Sequence, residues 1–446
     1  MHPRIALVTY KIVQYCRKER VFAALEDLAK SQWQSPESMR QRQWEKLRRM
    51  VQHAYEHVPY YRKMYDAVGF HPGRLRSMED IDVIPAISKQ VMRDNARELI
   101  AQDRTYRFSE DSTSGSSGPT TIIYTDRTAL AYQHAAVFRA YHWMGLRIGE
   151  RLIRFWGTQL DTKRKAKDSV KDFLLNRRTF STHGLDRVSL ETYYGELVRF
   201  KPAAFYGFTS GIYEFAKFVK ENELPLEKIR LKAIIVTGEP LLTHQRELIE
   251  GVFGCRVFNE YGCAEFGPVA YECPNGALHI NAENVLVEVE ATGDAVDDGR
   301  GNLIMTELNN AGMPMVRYRM GDVGVLANEP CDCGRGLPIL QEISGRTLDF
   351  VQTADGKRVH GMYFDYLPKY FIGEIHQFQI VQEDLQHITI RVVKDVGFNE
   401  STIPRFEEKL RKAVGESIAL EYEVGDTPFR EATGKHRLVV SKIDRA

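Results

Sequence analysis

The chain has 446 residues, enough for two or three domains and a core that is stable without crosslinks. Its 61 basic and 60 acidic side chains leave a formal net charge of +1, so no global field draws it to nucleic acid. Six cysteines are too few for a disulfide framework, and no apolar run approaches the length that spans a bilayer. Ile5-Ala-Leu-Val8 is too short and interrupted for a secretory signal, which sets the expectation of a cytoplasmic protein with reduced thiols.

In chain order, Trp44, Leu47, Val51, Ala54 and Val58 recur at three- and four-residue spacing and predict an amphipathic helix over residues 40–65. Residues 112–120 read Ser-Thr-Ser-Gly-Ser-Ser-Gly-Pro-Thr, where hydroxyls alternate with glycines that bare backbone amides and could wrap phosphate oxygens. No Gly-Lys-Ser/Thr follows, so this is not the common P-loop, and alone it equally describes a flexible loop. Residues 128–145 read as a helix and Arg151-Leu-Ile-Arg-Phe-Trp156 as a strand. Thr162–Arg178 is the most basic stretch; it is a solvated helix face, a contact for cofactor phosphates or a contact for an acidic partner.

Strand and helix patterns alternate as far as about residue 265, which argues for a large α/β domain with parallel strands. Leu231-Lys-Ala-Ile-Ile-Val-Thr237 is an apolar run that breaks into Gly238-Glu239-Pro240, as a buried strand entering a loop would. Arg256-Val-Phe-Asn-Glu260-Tyr261-Gly262-Cys-Ala-Glu265 repeats the design. In open α/β sheets ligands sit at the carboxyl ends of the strands, where both tails would lie. Trp143, Trp156, Phe205, Tyr206 and Phe208 concentrate aromatics in this region, as core or as an apolar acid pocket walled by Tyr206-Gly207-Phe208.

Cys273 and His279 precede Cys331-Asp-Cys333, which sits on a Pro- and Gly-flanked loop. Three sulfurs and one imidazole would complete a closed tetrahedral zinc site; otherwise these are unrelated small residues, with Cys255 as a spare. Val285–Glu290 and Asn302–Glu307 flank an Asp/Gly-rich turn, as in an antiparallel subdomain. Beyond Gly345-Arg346 the pattern changes again. Strands are expected at His376–Glu383, His387–Val393, Ser417–Val424 and Leu438–Ile443, with a helix lined by Ile403, Phe406, Leu410 and Val414. Thr433-Gly-Lys435 then places a cation on a glycine-preceded turn.

Taken in this order, the segments resemble those of the adenylate-forming (acyl-AMP) enzymes, in the branch of phenylacetate–CoA ligases and capsular-polysaccharide (CapK-like) proteins. His57-Val-Pro-Tyr-Tyr61 and Ile84-Pro-Ala-Ile-Ser-Lys89 are similar to that branch's N-terminal region. The resemblance implies a 1–345 AMP-binding domain with a helical region over 1–110 and a β-subdomain over 285–330. A small α+β lid domain over 346–446 follows. It also implies roles. Thr113, Ser114, Gly115, Ser116, Ser117 and Gly118 would hold the β/γ-phosphates, and Glu265 would ligate Mg2+. Tyr261 and the Gly238-Glu239-Pro240 backbone would sandwich adenine, with Glu260 and Gly262 in the same segment. In Tyr318-Arg-Met-Gly-Asp322, Asp322 would accept from both ribose hydroxyls. Gly345-Arg346 would be the hinge, and Lys435 would bridge the substrate carboxylate and α-phosphate.

Three positions depart from the family pattern. Gly118 runs straight into Pro119, Ala264 stands where relatives usually carry Thr or Ser, and Leu348 replaces a hinge Asp or Lys. The implied reaction joins a carboxylic acid to ATP as acyl-AMP with release of pyrophosphate, then transfers the acyl group to an acceptor. Coenzyme A is the first choice of acceptor, an amine or hydroxyl the second, and a non-catalytic homologue the third reading. A homodimer is compatible with all three; no nucleic-acid partner is implied.

Overall fold

Pro59 divides the helix expected over residues 40–65 into two. A proline forces the residue before it away from the helical region, and Val58 is extended with φ −111° and ψ 111°. It closes α3 (Pro36–His57) and opens α4 (Pro59–Ala67), and it stays buried with Leu47, Val51 and Ala54. Two helices precede this pair, α1 (Pro3–Arg17) and α2 (Val21–Ser31). The computed structural model describes residues 2–104, 106–112, 122–157, 172–182, 185–291, 299–346, 350–352, 358–360, 364, 367–371, 373–427 and 438–443. Residues 113–118, 162–171, Leu348 and Lys435 therefore lie outside the described residues.

A short helix, α5 (Lys89–Asp94), starts where the Ser88 hydroxyl accepts the Val91 amide. Just before it, Ile87 pairs its backbone with Arg317 and Arg319, each at 2.9 Å, which ties the Ile84–Lys89 motif to a later strand. Strands β1 (Phe108–Ser112) and β2 (Ile122–Asp126) pair antiparallel, Phe108 opposite Asp126 and Ser112 opposite Ile122. Residues 113–121, between these two strands in sequence, lie outside the described residues. Asp126 caps α6 (Arg127–Trp143), its carboxylate accepting the amides of Thr128 and Ala129.

The main sheet contains β3 (Leu152–Trp156), β4 (Arg177–Ser181), β5 (Ala204–Phe208), β6 (Ala233–Thr237), β7 (Val257–Cys263), β8 (Gly267–Glu272) and β9 (Leu278–Ile280), in the order β4-β3-β5-β6-β7-β8-β9. Strands β4, β3, β5, β6 and β7 are parallel. All five residues of β6 are buried, as a strand covered on both faces requires. Helices α7 (Arg187–Phe200), α8 (Thr209–Glu221) and α9 (Thr243–Phe253) lie among these crossovers. Beyond β7 the sheet turns antiparallel through β8 and β9, because Gly267 (φ +67°) closes a tight return instead of a helical crossover. Arg177 and Arg178, at the end of the basic stretch, belong to β4, and Arg177 pairs with Asp172 at 2.6 Å.

A second sheet runs β10 (Val285–Ala291), β11 (Gly301–Glu307), β12 (Tyr318–Leu326) and β13 (Leu340–Arg346), antiparallel throughout. Next come the pair β14 (Phe350–Gln352) and β15 (Arg358–His360) and a four-stranded sheet. That sheet holds β16 (Ile375–Gln382), β17 (His387–Lys394), β18 (Ala419–Gly425) and β19 (Val439–Ser441), ordered β18-β17-β16-β19. Its cover is α10 (Thr402–Val414), which buries Phe406, Leu410 and Val414 against Phe371, Phe378 and Ile390. Among the described residues, a polar cluster joins this sheet to the main domain. Lys217 Nζ on α8 lies 2.8 Å from Asp395 Oδ2 and 3.2 Å from His376 Nδ1, while His376 Nε2 faces Glu214 Oε2 at 3.3 Å. Among the described residues no helix is long and apolar enough to cross a membrane.

Candidate functional site

The carboxyl ends of β5, β6 and β7 lie side by side, and each ends in one of the segments singled out from the sequence. Register puts Phe208 beside Thr237, and Thr237 beside Glu260. At the end of β5, Gly207 has φ +147°, and a Cβ there would stand 2.0 Å from the Phe155 carbonyl oxygen. Only glycine lets β5 pass β3 this closely. Either side of it, Tyr206 and Phe208 stack on Trp156, with centroids 5.9 and 4.4 Å away. Phe205 alternates to the other face and is core.

At the end of β6 the chain turns through Gly238, φ +76°. The Glu239 carboxylate then accepts the Ser210 amide at 2.7 Å and the Ser210 hydroxyl at 3.0 Å, while Thr209 Oγ1 donates to the Glu239 carbonyl at 3.3 Å. Glu239 thereby holds the Gly-Glu-Pro segment against the first turn of α8, a favourable place for an anion. Sequence reading assigned Glu239 only through its backbone; its anchoring to Ser210 is a contact between residues far apart in the chain.

Along β7, side chains alternate between two environments. Glu260 is buried, with hydroxyls of Tyr206 at 3.2 Å and Thr237 at 3.4 Å donating to its Oε1. Burial raises its pKa to about 7. The next residue faces the second sheet: the Tyr261 hydroxyl donates to Asp322 Oδ2 at 2.5 Å. Asp322 sits on β12 directly opposite Arg346 of β13. The segments expected to hold adenine and ribose and to form the hinge therefore meet through one hydroxyl and one ladder position.

Glu265 follows β7 and is buried, with the Tyr318 hydroxyl 3.4 Å from its Oε1. Tyr318 opens the Tyr-Arg-Met-Gly-Asp322 motif, and its position there was the available signal for a residue the sequence reading left without a role. Gly262 packs tightly, since a Cβ would lie 3.2 Å from both Glu260 Oε1 and the Gly267 carbonyl oxygen.

On the far edge of the main sheet, Cys273, His279, Cys331 and Cys333 bring three sulfurs and one imidazole nitrogen within 4.8 Å of one another. Cys273 and Cys331 sulfurs are 3.9 Å apart, and His279 Nε2 is 3.1 Å from Cys333 Sγ. The other ring nitrogen, Nδ1, lies 3.2 Å from the Leu337 carbonyl oxygen. A carbonyl only accepts, so Nδ1 carries the proton and the Nε2 lone pair points at the thiols, the tautomer a metal-binding histidine needs. Three thiols and a neutral imidazole form a donor set that fits zinc. Cys255 is half-buried just ahead of β7 and is not among the four.

Comparison with known proteins gives a consistent picture. Residues 351–442 match the CapK C-terminal domain family. Protein CapK of Staphylococcus aureus is 24% identical over 377 residues, which cover 83% of this chain and 82% of CapK. A phenylacetate-coenzyme A ligase of Thermus thermophilus is 28% identical over 323 residues, 71% of this chain and 72% of the ligase. Among solved structures, 2-hydroxyisobutyryl-CoA ligase in the postadenylation state superposes with a TM-score of 0.72 at 22% identity, covering 89% of this chain and 88% of that one.

Proposed function

The chain belongs to the branch of adenylate-forming proteins that holds CapK and the phenylacetate–CoA ligases, and on that premise we propose that it activates a carboxylic acid with ATP and passes the acyl group to coenzyme A. In the first step a carboxylate oxygen attacks the α-phosphorus, the bond to the bridging oxygen breaks, and pyrophosphate leaves. In the second, a thiolate attacks the acyl carbon and AMP leaves. Both steps depend on holding charged groups in line and neutralising the charge that gathers on phosphorus.

The observation that carries this reading is the Tyr261–Asp322 contact at the mouth of β5, β6 and β7. Register sets Thr237, just before the Gly238-Glu239-Pro240 turn, beside Glu260, just before Tyr261; the Tyr261 ring would wall an adenine slot and the Asp322 carboxylate would accept from two ribose hydroxyls. Glu265 would hold Mg2+, whose charge would be set against the phosphate oxygens. Residues 113–118 would cradle the β/γ-phosphates and Lys435 would bridge carboxylate and α-phosphate. The Trp156, Tyr206 and Phe208 stack favours an apolar or aryl acid. Zinc on Cys273, His279, Cys331 and Cys333 would pin two loops and take no part in the chemistry.

Acid-dependent exchange of labelled pyrophosphate into ATP tests the first step, because acyl-AMP formation is reversible. A panel of aryl, short-chain, hydroxy and amino acids is expected to show exchange with one class. Coenzyme A added with the best acid should then give a thioester. Persistent acyl-AMP would move the acceptor to an amine or hydroxyl, and no exchange despite Mg-ATP binding would leave the non-catalytic reading.

A further inference from the structure

Helix α1 is docked on one side and bare on the other. Its inner face is fixed: Tyr10 packs edge-on against Phe22 and Phe138 at 6.2 and 5.2 Å, and Ala6 and Gln14 are buried. A Cβ on Gly149 would stand 2.5 Å from the Pro3 carbonyl oxygen, so helix and body are in close contact. The outer face carries Ile5, Val8, Ile12 and Tyr15, exposed by 57, 55, 58 and 84%. Their spacing confines them to a stripe of about 80° at about 100° per residue. Arg4 and Lys11, both exposed and seven residues apart, form a row along one border of that stripe, and the exposed Lys18 follows as the C-cap residue. Residues 3–18 contain no Asp or Glu, and Glu19 beyond them is buried and paired with Arg17 at 2.8 Å.

We propose that α1 lies flat on an anionic phospholipid surface, its apolar stripe entering the boundary between headgroups and acyl chains and its cationic row meeting the lipid phosphates. The decisive feature is the sign of the charge. The chain as a whole is nearly neutral, yet this helix and its C-cap residue present three exposed cations around an apolar stripe, and residues 3–18 hold no acid to answer them. An anionic bilayer complements both halves of that pattern, and such in-plane helices need no spanning segment. A second copy of the chain would present the same cations and no acid on the helix. Because α1 is packed against α2 and α6, binding would hold the whole folded protein at the surface.

The test is cosedimentation of the full chain with vesicles of phosphatidylcholine alone or of phosphatidylcholine mixed equally with phosphatidylglycerol. Binding is expected only to the anionic vesicles, weakening as salt screens the phosphates. The double variant Ile5→Ser/Ile12→Ser should lose about tenfold or more in partitioning. The double variant Arg4→Gln/Lys18→Gln leaves Lys11 over the Phe22 ring, 5.1 Å from its centroid, and should lose several-fold. Both should melt as the parent does. Equal binding to neutral vesicles, or binding that survives both variants, would overturn the proposal. So would a concentration-dependent dimer in sedimentation velocity that the Ile5/Ile12 variant abolishes, which would give the stripe to a second copy. A monomer that ignores both kinds of vesicle would overturn it as well.

Discussion

The Tyr261 hydroxyl reaches Asp322 Oδ2 across 2.5 Å and joins the parallel sheet to the antiparallel one. A hydrogen bond to a carboxylate is stronger than a neutral one, about 1.5–3 kcal/mol net, and here it also aims the acceptor. If Asp322 holds the ribose, losing it removes both ribose contacts and the anchor, whereas Tyr261→Phe removes only the anchor and keeps the ring. Asp322→Ala should therefore weaken Mg-ATP binding by about tenfold to a hundredfold, and Tyr261→Phe by a smaller factor. Titration calorimetry with a non-hydrolysable ATP analogue distinguishes them. Equal affinities for parent and Asp322→Ala would remove this residue from the site.

If Lys435 holds the role proposed for it, its replacement separates binding from chemistry. A cation bridging the substrate carboxylate and the α-phosphate acts on charge that develops only as the bond forms, so its loss should strike the rate and spare ground-state binding. Lys435→Ala is expected to fold, to bind ATP within a few-fold of the parent, and to lose acid-dependent pyrophosphate exchange by about a hundredfold or more. Near-normal exchange with the preferred acid would sink the assignment.

Much of this arrangement was legible in the chain, and what escaped it is physical. An apolar run ending in Gly-Glu-Pro identified β6, because a strand buried on both faces must be continuously apolar and must end in residues that turn, and a strand-like start running into Tyr-Gly identified β7. The antiparallel pair β10–β11 and the buried face of α10 followed from alternation and helical spacing in the same way. The single helix over residues 40–65 failed because periodicity survives Pro59 while the backbone does not. Strand β13, Leu340–Arg346, went unassigned because its partner, β12, is supplied by the fold. The same holds for Ser210 under Glu239 and for Lys217 with Asp395, whose pairings span 29 and 178 positions. The cysteine–histidine set needed only its clustering, and the structure brings all four side chains together.

That cluster makes a stability prediction. Cys273 and His279 lie around the β8–β9 turn, and Cys331 and Cys333 on the loop before β13, so a shared ion would crosslink segments about fifty positions apart in sequence. Purified protein should carry about one equivalent of zinc. Cys333→Ala, or prolonged chelation, should lower Tm by several degrees while the surviving folded protein keeps its nucleotide affinity, since none of the four lies at the mouth of β5–β7. Metal-free protein with an unchanged Tm on chelation would show the cysteines to be ordinary small residues.

Glu260 predicts how stability depends on pH. Burial lifts its pKa from the ordinary 4.5 to about 7, with the Tyr206 and Thr237 hydroxyls offsetting part of that penalty. The folded state thus holds a proton that the unfolded state has released, and stability from this group is fully present below about pH 4.5 and is lost as pH rises through about 7. Glu288 and Glu307, raised by burial to about 7 and about 8, add to the same trend. Glu260→Gln keeps the shape and cannot ionise. Relative to the parent it should gain stability between pH 5 and pH 8, by on the order of 3 kcal/mol at most. Denaturant unfolding of both proteins at the two pH values measures that difference. A constant gap between parent and variant across the range would mean that Glu260 is already ionised in the folded protein at low pH, and that the hydroxyls around it outweigh its burial.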